Sequence, residues 1–318
     1  MIRTNKKWSN EENQKLLDLY GKYTLKEIML KIPNRSAQSI TSRTSKILHL
    51  KSISKTKWDK NTIQKLKLLY PDGDKQELST IFNSKWHTIK TYAIQNNIHR
   101  SPRYHLENLM KENLSAYYWI GFLLADGCFY KGLIENKYPR YNLCLQLAPK
   151  DRNHLEKFIK FIRYKNSISV RKTKFHGITI STAGKNIITK IMKKFDIQFN
   201  KTYNPPQLNT FKNLSEDKLF SLIIGYIDGD GCVRKKKNSN NYVIQIENHK
   251  CWAEFNKHIE TFLFNTFNEN RKNTSMRYRK NRNTCSISIT QNNLIRKIKT
   301  KIKELDLPYM KRKWNQIS

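Results

Sequence analysis

Trp119–Gly127 reads WIGFLLADG and Ile223–Gly231 reads IIGYIDGDG, so one chain states the same pattern twice. Each copy is an apolar run with a glycine, a second small residue four positions on, then an aspartate and a closing glycine. Helical geometry places Gly121 with Ala125, and Gly225 with Gly229, on one face. Small residues at that spacing let two helix backbones approach closely. The closing glycine is a natural helix stop, which puts Asp126 and Asp230 at helix C-termini. A carboxylate there opposes the macrodipole by a few tenths to about 1 kcal/mol, and two brought together also repel each other. A bound divalent cation would relieve both conflicts. Core helices ending in solvated Asp-Gly stops would explain either copy alone, but the repetition argues against that.

Both stretches resemble the LAGLIDADG motif of homing endonucleases, in the single-chain form that carries two copies. The resemblance implies an α+β fold of two pseudo-symmetric αββαββα halves forming a DNA-binding saddle. It further implies metal-assisted hydrolysis of phosphodiesters, with Asp126 and Asp230 holding Mg²⁺ in two or more ions, for which Mn²⁺ substitutes. The product would be a double-strand break with short 3′ overhangs at a long asymmetric site. The first copy departs from the pattern, since Leu124 stands where the second copy has Asp228. The metal role therefore passes to Asp126 and Asp230 only, and the role of Asp228 stays open.

The 318 residues hold 61 Lys and Arg against 25 Asp and Glu, a formal charge of +36. A charge of that size points to a polyanion, and phosphate backbones are the usual one. An apolar fraction of 38% suffices for several small cores. The cysteines, at 128, 144, 232, 251 and 285, show neither paired metal-ligand spacing nor an even disulfide framework. They read as reduced thiols of an intracellular protein. No apolar run approaches the ~20 residues of a membrane span, and the N-terminus lacks the apolar segment of a signal peptide. The expected location is cytoplasm, nucleoid or organelle matrix, and a start at Met1 without a flanking splice-like region favours an intron-encoded or free-standing protein.

The N-terminal third is a repeat of about fifty residues. KWSNEENQKLLDLY from Lys7 matches KWDKNTIQKLKLLY from Lys57, pairing Trp8 with Trp58, Leu16 with Leu66 and Tyr20 with Tyr70. Each copy divides into three helical patterns, the first after a cap at Ser9 or Asp59. The expected domains are 1–52 and 53–103, each a helix-turn-helix unit resembling a Myb-like repeat. In that layout the last helix enters the major groove. Arg35, Arg43 and Lys46 in the first copy, and Lys85 and Lys90 in the second, are candidate DNA contacts. Pro102 disfavours helix at the residue before it and marks the boundary.

Two further domains are expected, 104–210 and 211–318, each reading helix, two strands, helix, two strands, helix. The strands would make one antiparallel sheet per half, with one face on helices and the other free. Alternation puts Gln146, Gln245, Arg171, Lys174, Arg277 and Arg279 on the free faces, where glutamine suits adenine and arginine guanine in a major groove. Laying DIQFNKTY over DLPYMKRK matches Lys201 with Lys311. By resemblance a lysine near this position lies close to the active site, where it supports transition-state charge. A further polar active-site position falls among Ala148, Pro149 and Lys150, and among Glu247, Asn248 and His249. The expected partner is double-stranded DNA, bound by a monomer with internal pseudo-twofold symmetry. Intron RNA is a second possible partner. A non-catalytic DNA-binding regulator and an RNA maturase are the alternative functions on the same fold.

Overall fold

A capping side chain opens the first helix of the N-terminal region in both copies. The computed structural model describes residues 7–20, 22–23, 25–48, 58–134, 138–171, 177–237, 239–271 and 274–318. The chain divides into two units, Met1–Ser101 and Pro102–Ser318. Ser9 caps α1 (Asn10–Leu19) in a reciprocal box with Glu12. Next come α2 (Leu25–Lys31) and α3 (Ala37–Ser42), the latter capped by Ser36 and continued by a wider π turn over Arg43–Ile47. The second triplet is α4 (Lys60–Leu69), α5 (Lys75–Ile81) and α6 (Trp86–Gln95), with Asp59 and Asp74 capping the first two.

Each triplet closes on its own small core, built around Leu16, Ile28 and Ile40 in the first and around Leu66, Leu78 and Ile89 in the second. The copies are braced differently. In the first, the Arg35 guanidinium pairs with the Glu12 carboxylate at 2.6 Å and lies over the Trp8 ring. In the second, Trp58 stacks on Tyr92 at 4.2 Å, and Arg100 donates to the carbonyls of Tyr70 and Gly73.

The second unit is built on two helices, α7 (Leu114–Ala125) and α10 (Glu216–Asp230). Every residue from Ala116 to Ala125 is buried, as is every residue from Phe220 to Asp228. Helices apolar all round belong inside a protein, and here each is the other's main partner. Around α7 stand β1 (Gly127–Ile134), β2 (Tyr138–Leu147), α8 (Arg152–Phe161), β3 (Ser169–Arg171), β4 (Gly177–Ala183) and α9 (Lys185–Lys194). Around α10 stand β5 (Gly231–Lys235), β6 (Tyr242–His249), α11 (Ala253–Thr266), β7 (Thr274–Arg279), β8 (Thr284–Ile289) and α12 (Asn292–Glu304), with a short α13 (Lys311–Trp314) at the end.

The sheets are antiparallel, ordered β1-β2-β4-β3 and β5-β6-β8-β7, so the expected αββαββα halves are present. Strand alternation puts Leu143, Leu145 and Leu147, and Ile244 and Ile246, on inner faces that share one core with the helices. Asp196 and Asp306 take left-handed backbone angles, φ 51° and 47°, just after α9 and α12. Ile197 N then donates to Met192 O, and Leu307 N to Ile302 O, closing a turn that satisfies late helix carbonyls and reverses the chain. No helix among the described residues is long and apolar enough to cross a membrane.

The glycines decide whether this pair can form. A methyl group on Gly121 would lie 2.7 Å from the Leu222 carbonyl carbon, and one on Gly225 2.8 Å from that of Tyr118, each overlapping the attached oxygen. Backbone cannot move aside as a side chain can. Gly121→Ala or Gly225→Ala is therefore expected to destabilise the second unit by about 3 kcal/mol or more. Gly132→Ala, whose methyl would find its nearest neighbour at 3.7 Å, should cost less than about 1 kcal/mol. Thermal melts of the three variants check the contrast.

Candidate active site

The paired helices end together. A methyl on Gly229 would overlap the Ala125 side chain and lie 3.4 Å from Asp126 N, so the residue before Asp230 sits against the residue carrying the other carboxylate. Burial and the Asp230 charge push the Asp126 carboxyl up to about 6, against the pull of Lys313 and Lys201. Burial likewise raises Asp230, opposed by the same lysines and by a hydrogen bond from Asn248. Asp126 is partly exposed and Asp230 exposed, so both carboxylates reach a ligand from solvent.

Two ammonium groups sit on the helix ends. Lys201 Nζ donates to Leu124 O at 2.8 Å and also to Ala125 O. Lys313 Nζ donates to Ile227 O at 3.2 Å, to Gly229 O at 3.1 Å and to the carbonyls of Asp228 and Gly231. Part of the conflict between aspartate and macrodipole is thus answered by the chain's own cations at the carbonyls. Burial lowers both lysines while the neighbouring aspartates hold them up.

Lys201 falls where the alignment expects it, but Lys311 does not. Lys313 holds the matching place, and Lys311 lines a separate cavity with Lys150. Both segments leave a helix at a left-handed aspartate, but Lys201 lies five residues past Asp196 and Lys313 seven past Asp306. A gapless alignment therefore misses by two. Burial is the distinguishing sign, because Lys313 is 6% exposed while Lys311 is open.

The polar position after the second strand differs between halves. Asn248 Nδ2 donates to Asp230 Oδ2 at 2.9 Å, and Asn256 Nδ2 donates to Asn248 Oδ1 at 3.0 Å. Register pairs Gly127 with Leu145 and Gly231 with Ile246, so the counterpart of Asn248 is Leu147, which is buried in the core. Ala148 and Pro149 lead into a 3-10 turn, and Lys150 lines the separate cavity. His249 stands edge-on to Tyr203 instead.

Asp228 is no surface ligand. It is 0% exposed and accepts from Tyr118 Oη at 2.6 Å, Met310 N at 2.7 Å and Trp314 Nε1 at 2.7 Å. Those bonds tie α7 and the C-terminal segment to α10.

Gln146 and Gln245 are both half-exposed on the free sheet faces, and Gln146 lies over Gly177. Arg277 and Arg279 are exposed, in register with Ser286 and Thr284. Arg279 Nη1 is 3.4 Å from Glu247 Oε1, which also accepts from Thr284 Oγ1 at 3.1 Å. The Arg171 backbone pairs with Gly177. Its side chain lies outside the described residues, as does all of Lys174.

In the N-terminal unit Lys46, Lys85 and Lys90 are exposed, and Arg43 is half-buried, donating from Nε to Asn13 Oδ1 at 2.8 Å. Arg35 is corrected by its surroundings. It is 7% exposed and donates to Glu12 and to Lys7 O, so it braces the first triplet from within. Glu12 at the third helical position, beneath Trp8, was the readable hint of an internal partner.

The raised Asp126 carboxyl has a consequence for stability. Its folded pKa of about 6 lies above its ordinary 3.8, so the charged form opposes folding. That penalty is absent below about pH 4 and complete above about pH 6. In chelator at pH 7.5, Asp126→Asn is expected to stabilise the fold by on the order of 1 kcal/mol. The gain should vanish near pH 4, as melts at both values would show.

Residues 8–66 match the family model described as a Myb-like DNA-binding domain. No curated protein matches the chain in sequence. Among solved structures, the chain is similar to the LAGLIDADG homing endonuclease I-GzeII in complex with its DNA target, at 13% identity and TM-score 0.44, over 63% of this chain and 88% of that one. It is similar to I-LtrWI bound to target DNA, at 16% identity and TM-score 0.43, over 65% and 87%. It is also similar to the meganuclease I-AabMI bound to uncleaved DNA, at 13% identity and TM-score 0.42, over 63% and 87%. By its two helix motifs and its αββαββα halves the second unit resembles the LAGLIDADG homing endonucleases, and residues 8–66 before it match a Myb-like DNA-binding domain.

Proposed function

We propose that the protein is a DNA endonuclease that hydrolyses one phosphodiester in each strand of a duplex, using Mg²⁺ held by Asp126 and Asp230. The observation that carries this reading is the pair of carboxylates itself. Each comes from one half, both are raised by desolvation, and both stand beside lysines held on helix carbonyls, Lys313 buried and Lys201 half-buried. Burying like charges together is costly without a counter-ion. Among the described residues no three His, Cys, Asp or Glu side chains gather as a metal cage. Mg²⁺ does not ask for one, since it is held by one or two carboxylates with water and substrate phosphates completing its shell. Mn²⁺ accepts the same oxygen donors.

When bound, the cation supplies Lewis-acid polarisation of the phosphoryl and leaving oxygens. The chain's own groups do the rest. Asn248 fixes one oxygen of Asp230 and so its orientation. Lys201 and Lys313 are held by helix carbonyls next to the carboxylates, where their charge offsets that of a five-coordinate phosphorus. Gln146, Gln245, Arg277 and Arg279 read bases from the sheet faces. Arg43, Lys46, Lys85 and Lys90 extend the contact beyond the cleavage point, raising affinity through effective concentration.

Incubation with a plasmid library and Mg²⁺ tests the reading. Asp126→Asn and Asp230→Asn should each abolish double-strand cutting while duplex affinity stays within about threefold. Undiminished cutting by either variant would sink the assignment, and uncut DNA with wild-type binding would favour a regulator. Lys313→Met should slow cleavage by about 10²-fold, far more than Lys311→Met. Asn248→Ala should slow one strand more than the other, because only Asp230 has such a partner, and strand-labelled substrate would reveal the imbalance.

A further inference from the structure

Between the start of α8 and residues 310–312 lies a cavity of about 120 Å³. Lys150, Lys157, Lys311 and Arg312 line it, and Asp151 is the one acid among its lining residues. Arg312 takes both oxygens of that acid, Nε to Oδ1 at 2.7 Å and Nη2 to Oδ2 at 3.0 Å, so the two charges cancel. Lys157 Nζ donates to Tyr309 O at 2.7 Å, and a carbonyl neutralises no charge. Three lysines therefore line one space in which no lining carboxylate is left for them, with only the buried Asp228 beyond the wall drawing on Lys157. Burial and then the Lys311 charge hold Lys157 below the usual lysine range.

His154, 4% exposed, forms part of the wall; Tyr118 gives its one proton to Asp228, so His154 Nε2 donates to Tyr118 Oη at 3.1 Å and its buried Nδ1 is an acceptor that adds nothing to the cavity's charge.

The second half builds the same place from aromatic carbon. There the turn Lys250–Trp252 precedes α11, and Trp252 occupies the position of Asp151. It stacks on Tyr226 at 5.4 Å and donates Nε1 to Thr202 O at 3.0 Å, while Phe255 stands where His154 does. Aromatic carbon fills one interface; the other keeps a hole ringed by charge. Gathering unpaired cations around a void costs stability, which an anion would return.

We propose that this cavity binds a phosphate-type oxyanion, held by the ammonium groups of Lys150, Lys157 and Lys311. Its volume has room for several waters or for one tetrahedral oxyanion. The phosphate could belong to a bound duplex or be free in solution, and only the first source rests on the nuclease reading.

Thermal melts in sodium phosphate, against sodium chloride at equal ionic strength, test the site without any cleavage. The melting temperature should rise saturably in phosphate. Half-saturation should weaken about tenfold or more in Lys157→Met, and likewise in Lys150→Gln/Lys311→Gln, whose residues are exposed and leave the core untouched. A phosphate effect no larger than that of chloride, or one unchanged in both variants, would overturn the proposal. Binding of a duplex across a salt series separates the sources. A backbone phosphate as occupant predicts weaker duplex binding by the variants and a salt slope reduced by about one per lysine lost. Free phosphate predicts unchanged duplex binding with the phosphate effect still lost.

Discussion

Two helix backbones touch at Gly121 and Gly225, and the arrangement of the second unit follows from that contact. With hydrogen as the only side chain at these positions, each helix takes the other's carbonyls as its wall. Because the motifs are equivalent and antiparallel sheets flank each helix, the contact brings the same end of both helices to one place. The two carboxylates are neighbours as a result of packing. Their charge then sets the needs of everything nearby, met by two ammonium groups at the carbonyls and, on the function proposed, by a divalent cation.

The duplication stops short of symmetry. Asp228 accepts three hydrogen bonds where the first half has only a buried leucine, Leu124. Asn248 holds Asp230, whereas its counterpart Leu147 packs into the core. Trp252 fills an interface that Asp151 leaves open. Each difference replaces an apolar group with a polar one, or the reverse, at positions matched by strand register or by the helix motif.

The fold was legible because it is written in periodicity and stops. The Asp-Gly endings, the strand alternation and the capping residues at Ser9 and Asp59 all act within a few residues of themselves. The aspartate pair was legible because repetition tied distant residues to one geometry. What escaped depended on contacts between segments far apart in the chain. Lys313 was displaced from its aligned position by two loop residues, which no local pattern records. Arg35 looked like a surface cation until Glu12 and Trp8, more than twenty residues away, were seen to enclose it. The role of Asp228, left open by the motif, is settled only by Tyr118, Trp314 and the Met310 amide, which claim its oxygens.

The burial of α7 bears on how such a body can arise. Taken alone, the first half would present to water the side of α7 that now faces α10. Its glycine-bearing side is complementary to a second copy of itself, since Gly121 and Gly225 make equivalent contacts. A chain carrying only one half would need a second copy to cover that side. With both halves on one chain, neither has to serve both sides of the contact, and the unmatched aspartate, asparagine and tryptophan each stand in one half only.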